Sequence, residues 1–371
     1  MGDGQRKIGM ALSGGGIRAT IFHLGVLKWM AEKNMLEDIV RLSSVSGASL
    51  CIGLIYSHND FKWPNSKEYL NEVLPKIQKV ILEKDIEKLA LMRLIISPWW
   101  WNKKVNLIAK VIEKYWGISG TIADLDKNPS WYINCTTFET GKRFRFSQDR
   151  MGDYQIGYVE NPKLPLAVAV ASSAGFPILI GPYKLRIDKY PWIKSSYAKK
   201  DWTPPKDKII HLWDGGVYDN LGLESVYKMD NGGCLSEGVD YLIVSNASGS
   251  SGYKKRKDGL SSKNLKRLLD ISMDQIGALR NRNVMDYIKR TQKGMYFKIG
   301  NSAEAITEAS GIHGDLREKL VTQCMCTADA IKVRDYSTTL SKPSTSNFNL
   351  ILQHGYEVAK CTYTCYYSQE K

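Results

Sequence analysis

The chain has 371 residues, 43% hydrophobic and 24% charged, an ordinary globular composition with ample material for a core. Its formal net charge of +14 favours an anionic partner: a nucleic acid, an anionic bilayer surface or a phosphorylated small molecule. No apolar run of about 18 residues is present, which excludes a spanning helix.

Met1 to Lys7 lacks an apolar signal region, and Arg6 stands where a myristoylation signal needs Ser or Thr. The expectation is a cytoplasmic protein, with peripheral contact to the inner face of the membrane. Ile8 to Leu12 reads as a short strand. The loop Ser13-Gly14-Gly15-Gly16-Ile17-Arg18 follows, then a helix with Ile21, Leu24, Val26, Leu27 and Met30 on one broad apolar side. Ile39 to Leu42 is a second strand, running through Ser44-Val45-Ser46-Gly47-Ala48-Ser49 into another helix. This βαβα order predicts a parallel sheet with helical crossovers.

Residues 62–116 are helical in pattern, with Leu74, Ile77, Val80 and Ile81 and then Val105, Ile108, Ile112 and Tyr115 at helical spacing. Between these sets lies Ser97-Pro98-Trp99-Trp100-Trp101-Asn102-Lys103-Lys104. Tryptophan beside lysine suits a bilayer headgroup region, and the same residues suit burial at a helix junction. Residues 61–116 hold eleven Lys/Arg against six Asp/Glu. Trp131 to Thr137 and Arg143 to Phe146 alternate about Gly141 as a hairpin. Leu164 to Ala174 is a small-residue helix. Ile209 to Trp213 and Tyr241 to Val244 are strands, the first running into Asp214-Gly215-Gly216. Residues 249–268 are a Ser/Gly/Lys-rich loop, 262–293 a helix, Met295 to Ile299 a last strand and 345–361 a terminal helix.

Seven cysteines, an odd count without an export signal, read as free thiols. Cys324, Cys326, Cys361 and Cys365 lack the paired CxxC spacing of a metal site, so no metal is expected.

Ser46 fits a nucleophile elbow, a strand-turn-helix corner that needs small residues two places to either side; here these are Ser44 and Ala48. It equally fits a helix N-cap. The three glycines can turn backbone amides toward one point at a helix N-terminus, where a phosphate or an oxyanion would sit. Gly14-x-Gly16-x-x-Ala19 also fits a degenerate dinucleotide fingerprint, but the second strand ends in Ser43-Ser44 rather than in an acid. Arg18 either holds an anion or braces the loop. Asp214 could act as base to Ser46 or cap its own turn through an Asx bond. Among His23, His58, His211, His313 and His354, none follows a late strand where a triad histidine would stand.

Taken in order, these blocks resemble the patatin-like phospholipases. Ser13 to Ala19 matches the family's oxyanion loop and Ser44 to Ala48 its nucleophile elbow. Ala171-Ser172-Ser173-Ala174-Gly175-Phe176-Pro177 matches its small-residue block, and Asp214 to Gly222 its Asp-Gly-Gly block. Thr338 through Tyr356 is similar to the C-terminal region of bacterial members. The resemblance implies a three-layer α/β fold with a mainly parallel central sheet, helices on both faces and a helical, Trp-rich insertion. It implies one domain over 1–371, including a lid or insertion at about 62–116 and a C-terminal helical region at about 300–371. It makes Ser46 the nucleophile and Asp214 the base of a Ser–Asp dyad without histidine. The oxyanion hole falls to Gly14, Gly15, Gly16, Gly47 and Arg18. The implied reaction is phospholipase A-type cleavage of acyl esters, with neither cofactor nor metal. The partners implied are a phospholipid surface as substrate, a cyclic nucleotide as activator in the manner of antiphage effectors, and a second copy of the chain, with no nucleic acid polymer. Lys254-Lys255-Arg256-Lys257 is the candidate nucleotide contact. The chain departs from the family at Ser13, where Asp is common, and at Ala19, Ser44 and Ala48, where Gly is common. A weak or inactive binding module on the same scaffold is the alternative reading.

Overall fold

The computed structural model describes residues 6–175, 180–196, 201–249, 252 and 262–367. Strands β1 (Ile8–Leu12), β2 (Ile39–Val45), β3 (Ser130–Thr137), β4 (Arg143–Phe146), β5 (Arg150–Asp153), β6 (Gly157–Glu160), β7 (Tyr183–Arg186), β8 (Ile209–Asp214), β11 (Tyr241–Asn246) and β12 (Gly294–Lys298) form one ten-stranded sheet; β9 (Tyr227–Lys228) and β10 (Cys234–Leu235) pair separately. The order runs β12-β11-β1-β2-β3 in parallel, then β4-β5-β6 antiparallel. The eight residues of β3 serve two neighbours on one side: β2 against Ser130–Asn134 and antiparallel β8 against Cys135–Thr137. The antiparallel wing beyond the hairpin was not legible as pattern, because its strands are only four residues long.

β1 and β11 are buried along their whole length, as central parallel strands covered on both faces must be. The helix α1 (Gly16–Glu32) is buried nearly all round, although its sequence suggests one apolar side. The cause is the terminal helix α11 (Thr345–Tyr366), which lies across its outer face. Gly25 and Gly355 make the crossing: a Cβ on Gly25 would stand 2.0 Å from Leu352 O, and one on Gly355 2.1 Å from Phe22 O.

Helix α2 (Gly47–Ser57) follows β2. The insertion contributes α3 (Leu74–Glu83), α4 (Ile86–Ile96) and α5 (Lys104–Trp116), with a 3₁₀ turn at Pro98–Lys103. Leu74, Ile77 and Ile81 are buried, as are Val105, Ile108 and Ile112, matching the helical spacing; Val80 and Tyr115 are half-buried. The small-residue helix α6 (Leu166–Ser173) follows the wing. The long α7 (Ser262–Thr291) precedes β12, and α8 (Ala303–Ser310), α9 (Gly314–Gln323) and α10 (Thr327–Asp335) lead to α11. Among the described residues no helix is long and apolar enough to cross a membrane.

In the parallel strands the chain steps from β1 to β2 on one side and returns at β11 on the other. The carboxyl ends of β1 and β2 therefore open at a topological switch point, where such sheets present their sites. The glycine loop and Ser46 both lie there.

Candidate active site

β2 ends at Val45 and α2 begins at Gly47, leaving Ser46 between them at φ 54°, ψ −118°. A non-glycine residue in this region costs about 1–3 kcal/mol, so surrounding contacts must hold it. The Ser46 N–H donates to Ser173 Oγ at 2.9 Å. Ser173 donates its one hydroxyl proton to Asn134 O at 2.7 Å, so Ser49 must donate to Ser173 (2.9 Å) and Ser44 to Ser49 (2.9 Å). Trp131 Nε1 then donates to Ser44 Oγ at 2.8 Å. Ser44 is thus a member of a buried hydroxyl chain that braces the elbow, which accounts for a serine where glycine is common. Ser46 stands at the N-cap place of α2, but its hydroxyl makes no capping bond.

The glycine loop meets the elbow directly. A Cβ on Gly47 would stand 2.1 Å from Gly16 O, and one on Gly14 3.0 Å from Ser46 Cβ. Thr20 Oγ1 ties the two turns, donating to Gly47 O at 2.8 Å and lying 3.2 Å from Gly16 O. Gly15 (φ 149°) and Gly16 (φ 60°) turn the chain into α1. The backbone N–H groups of Gly15, Gly16 and Gly47 have no partner among the described residues, and all lie at helix N-termini.

Two expected members of the oxyanion hole are otherwise engaged. The Gly14 N–H donates to Asn220 O at 3.1 Å. Arg18 turns into the body, its guanidinium donating to Tyr336 O and, at 3.3 Å, to Ala247 O. Burial lowers its pKa to about 10, and Asp335 partly opposes this. Of the two roles the sequence allows, Arg18 takes the brace.

Asp214 ends β8, opposite Cys135 of β3. Its Oδ1 accepts from the Gly216 N–H at 2.7 Å, which is the Asx bond, and its carboxyl also interacts with the Ser46 side chain. The Asx role is therefore met, and the same carboxyl stands beside the Ser46 side chain. Asp214 is 4% exposed, and burial pushes its pKa up to about 6, against the pull of the Gly216 and Ser46 bonds. The small-residue block anchors both halves. Ser173 Oγ holds Ser46, Ser173 O lies 3.4 Å from the Gly215 N–H, and Gly175 O accepts from the Asp214 N–H at 2.9 Å. Ser173 had no role assigned from sequence; its only signal was the run of small residues around it.

No histidine joins Ser46 or Asp214 among the described residues. His23 is fully buried between Ser245 Oγ (2.8 Å) and Ser13 O (2.9 Å), and burial lowers its pKa to about 4, keeping it neutral. His58 bonds Trp116 O, His211 bonds Glu139, His354 accepts from the Gly300 N–H, and His313 precedes α9. The carboxylate of Asp219, which shares a loop with Asp214, is occupied by the N–H groups of Leu221 and Leu223 and by Arg280.

Of the tryptophans, Trp99 and Trp101 are 72% and 62% exposed, while Trp100 is half-buried beneath Lys110. Cys324 and Cys361 face each other at 3.3 Å, and among the described residues no group of three His, Cys, Asp or Glu could hold a metal ion. Phe176-Pro177 and Lys254-Lys255-Arg256-Lys257 lie outside the described residues.

A serine held in a strained strand-to-helix turn, beside a carboxyl and unused amides, has the arrangement that covalent ester chemistry requires. The family model for patatin-like phospholipases matches residues 10–227, and the chain belongs to that family. Human GIVD cytosolic phospholipase A2 has a similar structure, with a TM-score of 0.54 at 12% identity, over 97% of this chain and 59% of that one. The chain thus spans about three-fifths of that protein. VipD from Legionella pneumophila gives a TM-score of 0.42 at 12% identity, over 98% of this chain and 67% of that one. Among curated proteins, none matches the chain.

Proposed function

We propose that the protein is a serine acyl hydrolase acting on fatty-acyl esters of membrane phospholipids. Ser46 Oγ attacks the ester carbonyl carbon while Asp214 takes its proton. The tetrahedral oxyanion is held by the amides of Gly15, Gly16 and Gly47. The C–O bond breaks, the alcohol leaves with the proton, and an acyl-serine remains; Asp214 then deprotonates water to release the fatty acid. The observation that carries this reading is the Asp214 carboxyl buried beside Ser46, with no histidine at either residue among the described residues.

Family membership supports a lipid substrate. So does the insertion, where Leu91, Met92, Ile95, Ile96, Trp99 and Trp101 are all at least half exposed. Apolar side chains and tryptophan beside Lys88, Lys103 and Lys104 suit an anionic bilayer surface. A methyl γ-linolenyl fluorophosphonate complex is known for human GIVD cytosolic phospholipase A2, which makes that compound the probe here. It should label the wild-type protein and not Ser46→Ala, and the wild type alone should release fatty acid from phosphatidylglycerol vesicles. A folded wild-type protein that takes no label would overturn the reading.

A further inference from the structure

We propose that Glu87 is a positioning residue for the glycine loop, through which the insertion sets the geometry of the amides facing Ser46. This rests on the hydrolase reading for its catalytic consequence, but its structural part stands without it.

Glu87 is the second residue of α4, two places after Asp85, which caps that helix by accepting from the Lys88 N–H at 2.9 Å. A first-turn glutamate ordinarily faces water and favours the helix dipole. Here its carboxylate turns to a segment some 250 residues later. It accepts from the Thr339 hydroxyl, from the Leu340 N–H at 3.1 Å and from the Ser341 hydroxyl at 2.8 Å. These bonds hold its carboxyl below the usual range, against partial burial.

Thr339 carries the contact onward. Its side chain goes to Glu87 and its carbonyl accepts from the Ile17 N–H at 2.8 Å. The same carbonyl lies 2.6 Å from where a Cβ on Gly16 would stand, so the segment lies directly against the turn that aims the Gly15 and Gly16 amides. Three residues earlier, Tyr336 O accepts from Arg18. The strap from Tyr336 to Ser341 is therefore pinned by Arg18 at one end and by Glu87 at the other. Of the eleven residues of α4, only Ile86 and Ala90 are buried, with Leu89 and Leu94 partly buried against the core. Its far end carries the exposed Leu91, Met92, Ile95 and Ile96. A carboxylate with three donors at the other end fixes the helix to the strap, and the strap to the loop.

Two measurements on the full chain test this. Amide hydrogen exchange over the peptide containing residues 14–19 should rise about tenfold in Glu87→Ala, because the Thr339 bond to Ile17 loses its support. Turnover of a soluble p-nitrophenyl ester should fall about tenfold in kcat with KM within about twofold, and Glu87→Gln, which keeps an acceptor oxygen, should recover most of the loss. Unchanged exchange in the loop would overturn the proposal. So would a loss of kcat that follows a fall in Tm and is not rescued by Gln. If the wild type is folded but inert toward the ester, the hydrolase reading fails, while the exchange result still decides the positioning role.

Discussion

Gly47 lies against Gly16 so closely that a methyl group on Gly47 would stand 2.1 Å from the Gly16 carbonyl oxygen. The Ser46 elbow and the glycine loop are thus in backbone contact, and the Gly15, Gly16 and Gly47 amides, unpaired among the described residues, all belong to these two turns. Gly47→Ala cannot be accommodated by rotating a side chain, because both partners are main chain. We expect it to lower hydrolysis by about 10²–10³-fold, the cost of losing one oxyanion donor, and to lower Tm as well. Fluorophosphonate labelling rates and a thermal melt check both.

Asp214 carries opposite predictions for activity and stability. As the proposed base it must be ionised, so kcat/KM should fall about tenfold per pH unit below about 6, read from a pH–rate profile. For stability, the folded pKa lies above the unfolded one, so the favourable contribution of the protonated form is present below pH 4 and lost as pH rises through about 6. A rise from 3.8 to about 6 corresponds to about 3 kcal/mol of destabilisation at pH 8. Asp214→Asn should therefore abolish turnover, by about 10⁴-fold, yet raise stability at pH 8 by up to about 3 kcal/mol, a gain that vanishes near pH 4. Equal denaturation midpoints at pH 8 would contradict the burial argument.

The hydroxyl chain under the elbow predicts that Ser44→Gly is harmful although glycine is common in the family at that place. It removes the acceptor of Trp131 Nε1 and the donor to Ser49, at a cost of about 1–3 kcal/mol. Ser173→Ala removes the acceptor of the Ser46 N–H and should cost a similar amount in urea unfolding, with a further fall in kcat as the elbow relaxes.

On the insertion, Trp99→Ala and Trp101→Ala together should weaken sedimentation with phosphatidylglycerol vesicles and spare turnover of a soluble ester, because both side chains are exposed. Trp100→Ala should instead lower Tm, since that ring is half-buried and lies under Lys110. Equal losses on vesicles and on the soluble ester for the exposed pair would assign them to packing.

The local devices were legible in the chain itself. Alternation and helical spacing are properties of neighbouring residues, so β1, β2, α1, α2, α3 and α5 could be read directly, whereas α4 carries no such pattern of its own. The glycine loop and Ser46 stood out because turns of that kind need small residues at fixed offsets. Asp214 emerged only by its place after a strand and by the order of the blocks. What the chain could not express was which groups were already committed. Arg18 and Gly14 look free as residues, and only the fold shows them bonded to Tyr336, Ala247 and Asn220. Ser44 looked like a departure from glycine until Trp131 and Ser49 came to meet it. The same holds for Ser173 and Glu87, whose partners lie 127 and some 250 residues away. Sequence determined where the chain turns and which stretches bury apolar surface, since short-range sterics and hydrophobic periodicity act locally. Tertiary structure decided which amides stay unpaired, which carboxyl is buried beside the serine, and which polar groups serve as braces, because a hydrogen bond depends on distance in space and not on distance along the chain.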